Sequence, residues 1–351
     1  MNTVLAPSSV PELVDAIKST VRLLPVGART KPRLTVAADT TLIDLRLLAG
    51  IIEYQPSEYT FTAQAGTSLR EIAAMLRAKG QYLPFDPPLA AAGATLGGTV
   101  AANLSGPGRF RFGGVRDFIL GLTWVDGQGH LIQGGGKVVK NAAGFDTPKL
   151  MVGSLGRLGV ITQLTFKVFP LPPSTRSIAL QFSNHANALA RLASLAGSRF
   201  ELDALDYRPA DHTILLRLAG PAESNATLAA AIGGTTVPCE SIWPDLNAFA
   251  WAPTDHTLIR IPTTPRTAAG LIESLEKISA THAHLTAGAN LLWLSTPDAP
   301  AVDKVLSHLQ TSGLVIRGQT PHLHVGLNPT STIASALHHV FDPHEKFGAR
   351  A

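Results

Sequence analysis

Glycine is concentrated in one stretch of this chain, and that concentration restricts the folds the chain can adopt. Seventeen of the 31 glycines lie between Gly93 and Gly159. Glycine loses more backbone entropy on folding than any other residue, so a glycine-dense folded segment indicates left-handed backbone or a close approach to the main chain. Strand-like apolar runs at 117–125 and 160–169 border the stretch, which argues against a flexible linker. A polyanionic ligand lying along bare main-chain N–H groups explains the pattern.

Six of these glycines lie in three phrases. Residues 94–99 read ATLGGT, residues 140–146 read KNAAGFD and residues 153–162 read GSLGRLGVIT. Two earlier turns have the same character, VGARTK at 26–31 and AQAGTS at 63–68. At Gly97 and Gly98 two consecutive main-chain N–H groups have no side chain beside them, so a polyanionic ligand could approach them.

Composition narrows the class of protein. The chain has 351 residues, of which 45% are apolar and 15% are charged, and this favours a folded protein of two domains. No run reaches the ~18 apolar residues of a membrane span, and residues 1–18 lack the pattern of an export signal, so we expect a cytoplasmic protein. The net charge of +4 is not gathered into a basic run, so no nucleic-acid partner is expected. Cys239 is the only cysteine, which excludes an internal disulfide, a four-cysteine zinc site and a self-contained iron–sulfur cluster.

The pattern of elements changes at the Pro-rich break at 170–174. Before it, we predict a helix at 10–19, strands at 21–26 and 60–65, and a helix at 69–79. After it, a strand followed by a helix recurs four times, at 177–182 and 186–196, 213–219 and 223–232, 257–262 and 266–280, and 290–296 and 299–311. This predicts an α+β region in which helices cover one side of an antiparallel sheet, in the ferredoxin-like style.

These phrases, in this order, resemble the FAD-binding domain of the PCMH type, found in the vanillyl-alcohol-oxidase superfamily. Residues 140–154 are most similar to the family of FAD-binding E subunits of bacterial glycolate oxidase. The resemblance covers residues 1–172, and beyond them it is limited to the architecture and to the sequence FDP at 341–343. It implies a two-part FAD-binding domain over 1–172 followed by a ferredoxin-like α+β cap domain over 173–351.

The resemblance also implies where FAD binds. The turn at 26–31 and the segment at 94–99 would meet the diphosphate from two sides, and residues 159–161 would run beside the flavin or adenine. The residues implied are Val26, Gly27, Ala28, Arg29, Thr30, Lys31, Ala94, Thr95, Gly97, Gly98, Thr99, Asn103, Gly159, Val160 and Ile161.

Two departures from the family pattern affect how the chain could bind FAD. The positions of its histidine and cysteine residues decide whether FAD could be attached covalently. Ala28 and Arg29 stand where relatives commonly have glycine, and residues 347–351 read FGARA where relatives have Asn-Pro-Gly after the Phe. The first histidine is His130 and Cys239 lies in the second half, so no histidine tether is available in the first loop and we predict non-covalent FAD.

The family implies a function within a complex. The chain would be the FAD-binding subunit of a glycolate oxidase or dehydrogenase, working with a related catalytic flavoprotein subunit and an iron–sulfur subunit. The complex would oxidise glycolate, a small hydroxy acid, to glyoxylate and associate peripherally with the membrane. Two alternatives stay open, a free-standing FAD-dependent oxidoreductase of an alcohol or hydroxy acid, and a non-redox scaffold that has lost FAD.

Other polar residues are weaker candidates. Arg109 and Arg111 could guide an acidic substrate, and Lys137 and Lys140 could neutralise cofactor charge. His322 and His324 have the spacing of two metal ligands on a strand, but without a nearby third ligand we predict no metal site. His338, His339 and His344 are expected to decorate a helix end. No catalytic base can be identified from the sequence.

Overall fold

The computed structural model describes residues 3–136, 146–328 and 332–347. Within these ranges, no helix has both the length and the hydropathy needed to cross a membrane.

The N-terminal region, up to residue 170, contains ten strands and five helices among its described residues. The strands are β1 (Val4–Leu5), β2 (Leu23–Val26), β3 (Thr41–Asp44), β4 (Ile51–Gln55), β5 (Thr60–Gln64), β6 (Gln81–Tyr82), β7 (Ile119–Val125), β8 (Leu131–Gly135), β9 (Val160–Lys167) and β10 (Phe169–Pro170). The helices are α1 (Val10–Ser19), α2 (Leu69–Arg77), α3 (Leu96–Ala102), α4 (Arg109–Phe112) and α5 (Thr147–Met151).

Two sheets organise this region. Strands β1-β3-β2 form a parallel sheet, and β4-β5-β9-β7-β8 form an antiparallel one. The runs predicted at 117–125 and 160–169 contain β7 and β9, which pair with each other, so the two borders of the glycine stretch are neighbours in one sheet. Their apolar side chains join α2 and α3 in a shared core.

The first helix shows why the sequence prediction succeeds here. Ser9 accepts a hydrogen bond from the main-chain N–H of Glu12, and Leu13 and Ile17 are fully buried. The predicted bounds of 10–19 are confirmed. The helix predicted at 69–79 ends two residues earlier, at Arg77.

The C-terminal region contains one large sheet. Its strands are β11 (Ser174–Gln181), β12 (Ala204–Arg208), β13 (Thr213–Gly220), β14 (Thr235–Val237), β15 (Thr257–Pro262), β16 (His282–Thr286), β17 (Leu291–Thr296), β18 (Ser312–Arg317) and β19 (His324–Gly326). The helices are α6 (His185–Ala196), α7 (Ala222–Ile232), α8 (Cys239–Ala248), α9 (Ala268–Leu275), α10 (Ala299–His308) and α11 (Thr332–Phe341).

The sheet runs β14-β11-β13-β12-β16-β17-β15-β18-β19, with antiparallel pairing throughout. Helices α6, α7, α9 and α10 pack on one face of it. The four predicted strand–helix units and the α+β class are therefore confirmed. The helix predicted at 266–280 is shorter, because the chain leaves helical geometry after Leu275 and Ala280 is left-handed, with φ 55°.

The other face of this sheet meets the N-terminal region. Register places His284, Trp293, Arg260, Leu314 and His324 side by side across β16, β17, β15, β18 and β19. Since directly opposed residues in a sheet project to the same face, these five form one row. Trp293 and Leu314 belong to an apolar cluster that includes residues 102 and 104, at the end of α3. We call this contact between the row and residues 102–109 the junction.

After β19 the described chain packs on the N-terminal region rather than on the sheet. Phe347 is fully buried in the cluster that contains Leu13, and the N–H of Gly127 donates to the carbonyl of Phe341 over 2.8 Å. The Asp342 carboxylate accepts from the N–H groups of Lys346 and Phe347, which explains the FDP phrase structurally. Residues 332–347 thus pack with the first half of the chain, although sequence assigned them to a cap over 173–351. The division into an FAD-binding domain over 1–172 and a cap domain over 173–351 stays a prediction.

Candidate functional site

A cleft lies where β2 ends and α3 begins. The space inside it, counted out to its open mouth, is about 710 Å³. Its floor and walls come from the turn after β2, the first turns of α3, and residues 155–161. The residues lining it are Pro25, Val26, Gly27, Ala28, Arg29, Thr30, Lys31, Leu34, Thr35, Leu45, Ala65, Thr95, Gly97, Gly98, Ala101, Ala102, Leu155, Gly156, Gly159 and Ile161.

Eleven of the fifteen residues implied as FAD contacts line this cleft. The other four, Ala94, Thr99, Asn103 and Val160, do not. Ala94, Thr99 and Val160 are almost fully buried, and Asn103 ends α3 in left-handed geometry, with φ 51°. The structure therefore brings residues 26–31, 95–98 and 159–161 together as predicted, but the roles of these residues toward FAD stay predictions.

The turn after β2 offers main-chain donors to the cleft. The N–H groups of Ala28, Arg29, Thr30 and Lys31 donate hydrogen bonds to no described residue. Arg29 is left-handed, with φ 54°, and successive N–H groups in such turns form anion-binding concavities. A side chain at this φ costs roughly 1–2 kcal/mol, so Arg29 keeps a left-handed backbone at some cost in stability.

Lys31 supplies a positive charge to the same cleft. The residue is only 8% exposed, and its Nζ contacts the Thr30 hydroxyl at 3.3 Å. No described carboxylate forms an ion pair with Nζ. Burial lowers the pKa of Lys31 to about 8. A buried ammonium without a counter-ion is costly, and an anionic ligand would relieve that cost.

The two glycines of α3, Gly97 and Gly98, have different surroundings. The N–H of Gly97 donates to the carbonyl of Ala65 over 2.8 Å, and a Cβ at residue 97 would lie 2.7 Å from the Cβ of Ala65. Gly97 therefore serves close packing of α3 on the preceding turn. The N–H of Gly98 lies 3.3 Å from the Thr95 hydroxyl, and a Cβ there would lie 3.7 Å from Lys31 Nζ. Both N–H groups have acceptors within the protein, the carbonyl of Ala65 for Gly97 and the Thr95 hydroxyl for Gly98, and their contact with a phosphate stays a prediction.

Close approach of main chains also shapes the cleft elsewhere. A Cβ at Gly27 would overlap the Thr95 hydroxyl, and one at Gly156 would lie 2.6 Å from Pro25 Cγ. Gly159 has φ 142° and no space for a Cβ, which would lie 2.7 Å from the carbonyl of Val125. Glycine at these positions lets three separate segments converge on one cleft.

The cleft fits a dinucleotide that has a charged centre and aromatic ends. Unpaired N–H donors and the Lys31 ammonium gather at one part of the wall, while Leu34, Leu45, Leu155 and Ile161 make other parts apolar. His130 and Cys239, the residues considered for a covalent tether, do not line it.

The junction contains a buried His–Asp pair that the sequence did not reveal. His284 Nε2 lies 2.9 Å from Asp206 Oδ2, while Oδ1 accepts from the Thr286 hydroxyl over 2.8 Å. Both residues are buried, and they line a smaller cavity of about 280 Å³ together with Trp251 and Trp293. A carboxylate that holds one imidazole nitrogen leaves the other available as a proton acceptor, as in His–Asp pairs of enzymes. The two residues lie 78 positions apart, so no local motif announced the pair.

The remaining sequence candidates have separate outcomes. Arg111 forms an ion pair with Glu201 at 2.8 Å, whereas the Arg109 side chain makes no hydrogen bond or ion pair with a described residue. His324 lies in the junction row and His322 is exposed. No group of three potential metal ligands occurs among the described residues. His338 and His339 are on the last turn of α11, and His344 follows it, as expected. Lys137 and Lys140 lie outside the described residues, as do residues 141–145 and 348–351.

Comparison with known protein families identifies the kind of domain that the N-terminal region contains. Residues 2–135 match the family model of the FAD binding domain. Residues 2–135 are therefore an FAD-binding domain, and the cofactor is FAD, as the resemblance to the PCMH type implied.

Three curated proteins show how far the sequence similarity extends. The chain is 37% identical to glycolate oxidase subunit GlcE of Escherichia coli (strain K12) over 223 residues, which are 64% of this chain and 63% of that protein. It is 31% identical to a D-lactate dehydrogenase of Anaerostipes hadrus over 166 residues, 47% of this chain and 34% of the relative. It is 29% identical to glycolate oxidase subunit GlcD of Bacillus subtilis (strain 168) over 157 residues, 45% of this chain and 33% of the relative. The matched segment spans less than two thirds of each of these proteins, which are named as oxidase subunits or a dehydrogenase.

A solved structure shows that the fold extends over the whole chain. An alkyldihydroxyacetonephosphate synthase superposes with a TM-score of 0.70, covering 99% of this chain and 76% of that one. Because only 16% of the residues are identical, this likeness shows the fold alone.

Proposed function

We propose that the chain is the FAD-bearing subunit of a complex that oxidises a 2-hydroxy acid, with glycolate as its substrate and glyoxylate as its product. The observation that supports it most is a cleft with unpaired N–H donors and an uncompensated ammonium inside an FAD-binding domain. Similarity to GlcE and GlcD supports the choice of substrate.

In this proposal the protein positions the cofactor and sets its electrostatic surroundings. The N–H groups of residues 28–31 and the Lys31 ammonium hold the diphosphate, and the apolar walls near Leu155 and Ile161 exclude water from the rings. The bound flavin supplies the redox chemistry, accepting the two electrons lost by the hydroxy acid. Since Lys31 is desolvated before the ligand arrives, its charge is already organised for an anion.

Partner subunits follow from what this chain lacks. Cys239 is its only cysteine, so electrons cannot leave through a cysteine-ligated cluster held by this sequence alone. We infer a related catalytic flavoprotein subunit and an iron–sulfur subunit, through which the complex associates peripherally with the cytoplasmic face of the membrane.

One observation favours a free-standing FAD-dependent oxidoreductase instead. The His284–Asp206 pair at the junction would give this chain its own acceptor for the hydroxyl proton of an alcohol or hydroxy acid. In that case the catalytic subunit would not be needed for substrate oxidation.

Steady-state reduction of an artificial dye separates the two functions. The purified chain, saturated with FAD, is assayed with glycolate and other 2-hydroxy acids, alone and after addition of the companion subunits. The subunit proposal predicts turnover only in the presence of the companions. Turnover of about 1–100 per second by the chain alone, ordinary for a complete enzyme, would establish the free-standing oxidoreductase.

A further inference from the structure

A second cleft, lined by three arginines, lies between the N-terminal region and the connection from β18 to β19. Its volume is about 510 Å³, within the ~300–1,000 Å³ of ligand pockets. The three arginines are Arg22, Arg33 and Arg157, and the other described lining residues lie within 36–40 and 318–323. We call this space the arginine cleft.

The arginine cleft is separate from the FAD cleft. Leu34 and Gly156 line the FAD cleft, whereas their chain neighbours Arg33 and Arg157 line the arginine cleft, so these segments form a wall between the two spaces. Arg22 precedes the four residues of β2 and the turn that lines the FAD cleft follows them, which separates the two by roughly 13 Å. No described residue lines both clefts.

The positive charge of the arginine cleft is not neutralised. No carboxylate is among the described lining residues, and none of the three guanidinium groups forms an ion pair with a described residue. Asp39, the acidic residue nearest in sequence to the lining, forms no ion pair either. Arg46, Arg208 and Arg217, by contrast, each bind an Asp carboxylate. Three cations in one space without a counter-ion repel one another, and an anion would relieve that repulsion.

Two of the arginines are held in place by uncharged acceptors. Arg33 is only 8% exposed, and it donates to the Thr320 hydroxyl over 3.2 Å and to the Thr320 carbonyl over 2.9 Å. Arg157 is half-buried, and its Nη1 donates to the carbonyl of Phe347 over 2.8 Å. Burial, and after it the proximity of Arg33, lowers the pKa of Arg157.

These contacts leave many donors for a ligand. Nη1 of Arg33, Nε and Nη2 of Arg157, and the whole guanidinium of the exposed Arg22 donate to no described residue. A structural link from Arg33 to residues 320–321 explains the contacts of that one side chain. It does not explain why two further arginines line the same space.

We propose that the arginine cleft binds a phosphate group, carried by a soluble phosphate ester or by the head group of an anionic lipid. A guanidinium donates two parallel hydrogen bonds to the oxygens of one phosphate. A phosphate monoester has a charge of about −1.5 to −2 and three acceptor oxygens, so it neutralises more of the three arginines than a single carboxylate does.

Two exposed valines give the lipid source its physical basis. Val36 lines the cleft and is 62% exposed, and Val21, next to Arg22 in the chain, is 82% exposed. Binding to an anionic membrane surface gains from apolar area placed beside cations. The phosphate site itself rests on the arginines and does not depend on the proposed function.

Isothermal titration calorimetry with inorganic phosphate at pH 7 tests the site, using the full chain saturated with FAD so that the FAD cleft is filled. Arg157→Gln should weaken phosphate binding by about 10- to 100-fold, through the loss of charge-assisted hydrogen bonds. Arg22→Gln should weaken it by about 3- to 10-fold, because Arg22 is exposed. Arg70→Gln is the matched control, since Arg70 is exposed, has no described partner and lies outside the cleft; its affinity should stay within about twofold of the parent.

Two further measurements guard the interpretation. Acetate, which has a single charge, should bind at least about tenfold more weakly than phosphate. Thermal unfolding checks the folding of each variant, and Arg22→Gln decides the matter if Arg157→Gln does not fold. If the chain takes up no FAD, the same titrations in the Lys31→Met background remove the ammonium of the FAD cleft, so failure of the proposed function leaves this test intact.

Sedimentation with phosphatidylglycerol vesicles, compared with phosphatidylcholine vesicles, identifies the source of the phosphate. Weaker sedimentation of Arg22→Gln than of Arg70→Gln, which loses the same charge, would assign the site to a lipid head group. Equal sedimentation of both, with phosphate binding weakened only in Arg22→Gln, would assign it to a soluble phosphate ester. Absence of phosphate binding to the parent, equal weakening by Arg22→Gln and Arg70→Gln, or acetate binding as tight as that of phosphate would overturn the proposal.

Discussion

Replacing Lys31 with methionine should weaken FAD binding and at the same time stabilise the protein without FAD. Methionine has a similar length and no charge, so the main change is removal of the buried ammonium. At an effective dielectric constant of about 20, a unit charge 4 Å from a phosphate contributes roughly 4 kcal/mol. Allowing for solvent that remains near the diphosphate, we expect a loss of ~3 kcal/mol, which is about a 100-fold higher Kd.

The expected increase in stability of the FAD-free protein follows from the lowered pKa of Lys31. Burial lowers it from 10.5 to about 8, so below pH 8 the amine is charged in both the folded and unfolded states and its desolvation opposes folding. That shift corresponds to a cost of ~3 kcal/mol, which disappears as the pH rises to the unfolded value. Lys31→Met should therefore raise the free energy of unfolding at pH 7 by about 1–3 kcal/mol, with the lower limit allowing for imperfect packing.

Two titrations measure these effects. Quenching of flavin fluorescence gives the Kd for FAD, and urea unfolding of the FAD-free protein gives the stability. Lys79→Met, at an exposed lysine, is the control and should change neither. Normal FAD affinity in Lys31→Met, or a protein less stable than its parent, would refute the reasoning.

Three further predictions concern the cleft and the junction. Because the Lys31 amine loses its proton above about pH 8, the Kd for FAD should rise up to tenfold per pH unit between pH 8 and 10 in the parent and stay flat in Lys31→Met; parallel titrations would contradict the assignment. Gly97→Ala should lower the free energy of unfolding by about 1–3 kcal/mol through its contact with Ala65, whereas Gly98→Ala should mainly weaken FAD binding; urea unfolding and FAD titration of both variants check this, and equal destabilisation would count against it. His284→Gln should reduce hydroxy-acid turnover by 10²- to 10⁴-fold without changing FAD content, if this pair is the proton acceptor; unchanged turnover would assign it a structural role.

The sequence predicted best those helices that have a capping residue and apolar residues at helical spacing. The helix at Val10–Ser19 has a Ser cap, an early proline and apolar residues at helical spacing, and its bounds were predicted correctly. The concentration of glycine indicated that main chains approach one another closely. The cleft has such approaches at Gly27 and Gly159, where a Cβ would overlap neighbouring atoms. The resemblance to PCMH-type domains supplied the order in which these phrases converge.

Features created by tertiary contact could not be predicted. The use of the Gly97 donor by Ala65, the His284–Asp206 pair and the unpaired state of Arg109 all depend on which segments meet in the fold. Arg109 and Arg111 look alike in the sequence, and only the position of Glu201 separates them. The return of residues 332–347 to the N-terminal region likewise depends on Phe347 filling a core formed by distant helices and strands.

The most direct test of the central claim, that this chain itself holds FAD without a covalent bond, is acid precipitation of the purified protein followed by mass spectrometry. The proposal predicts a yellow supernatant whose flavin has the mass of FAD, released from a protein with a flavin absorbance spectrum. Flavin that stays in the precipitate would contradict the non-covalent attachment. A colourless protein that also fails to bind added FAD would contradict the claim as a whole and leave a scaffold with the fold of a flavoprotein.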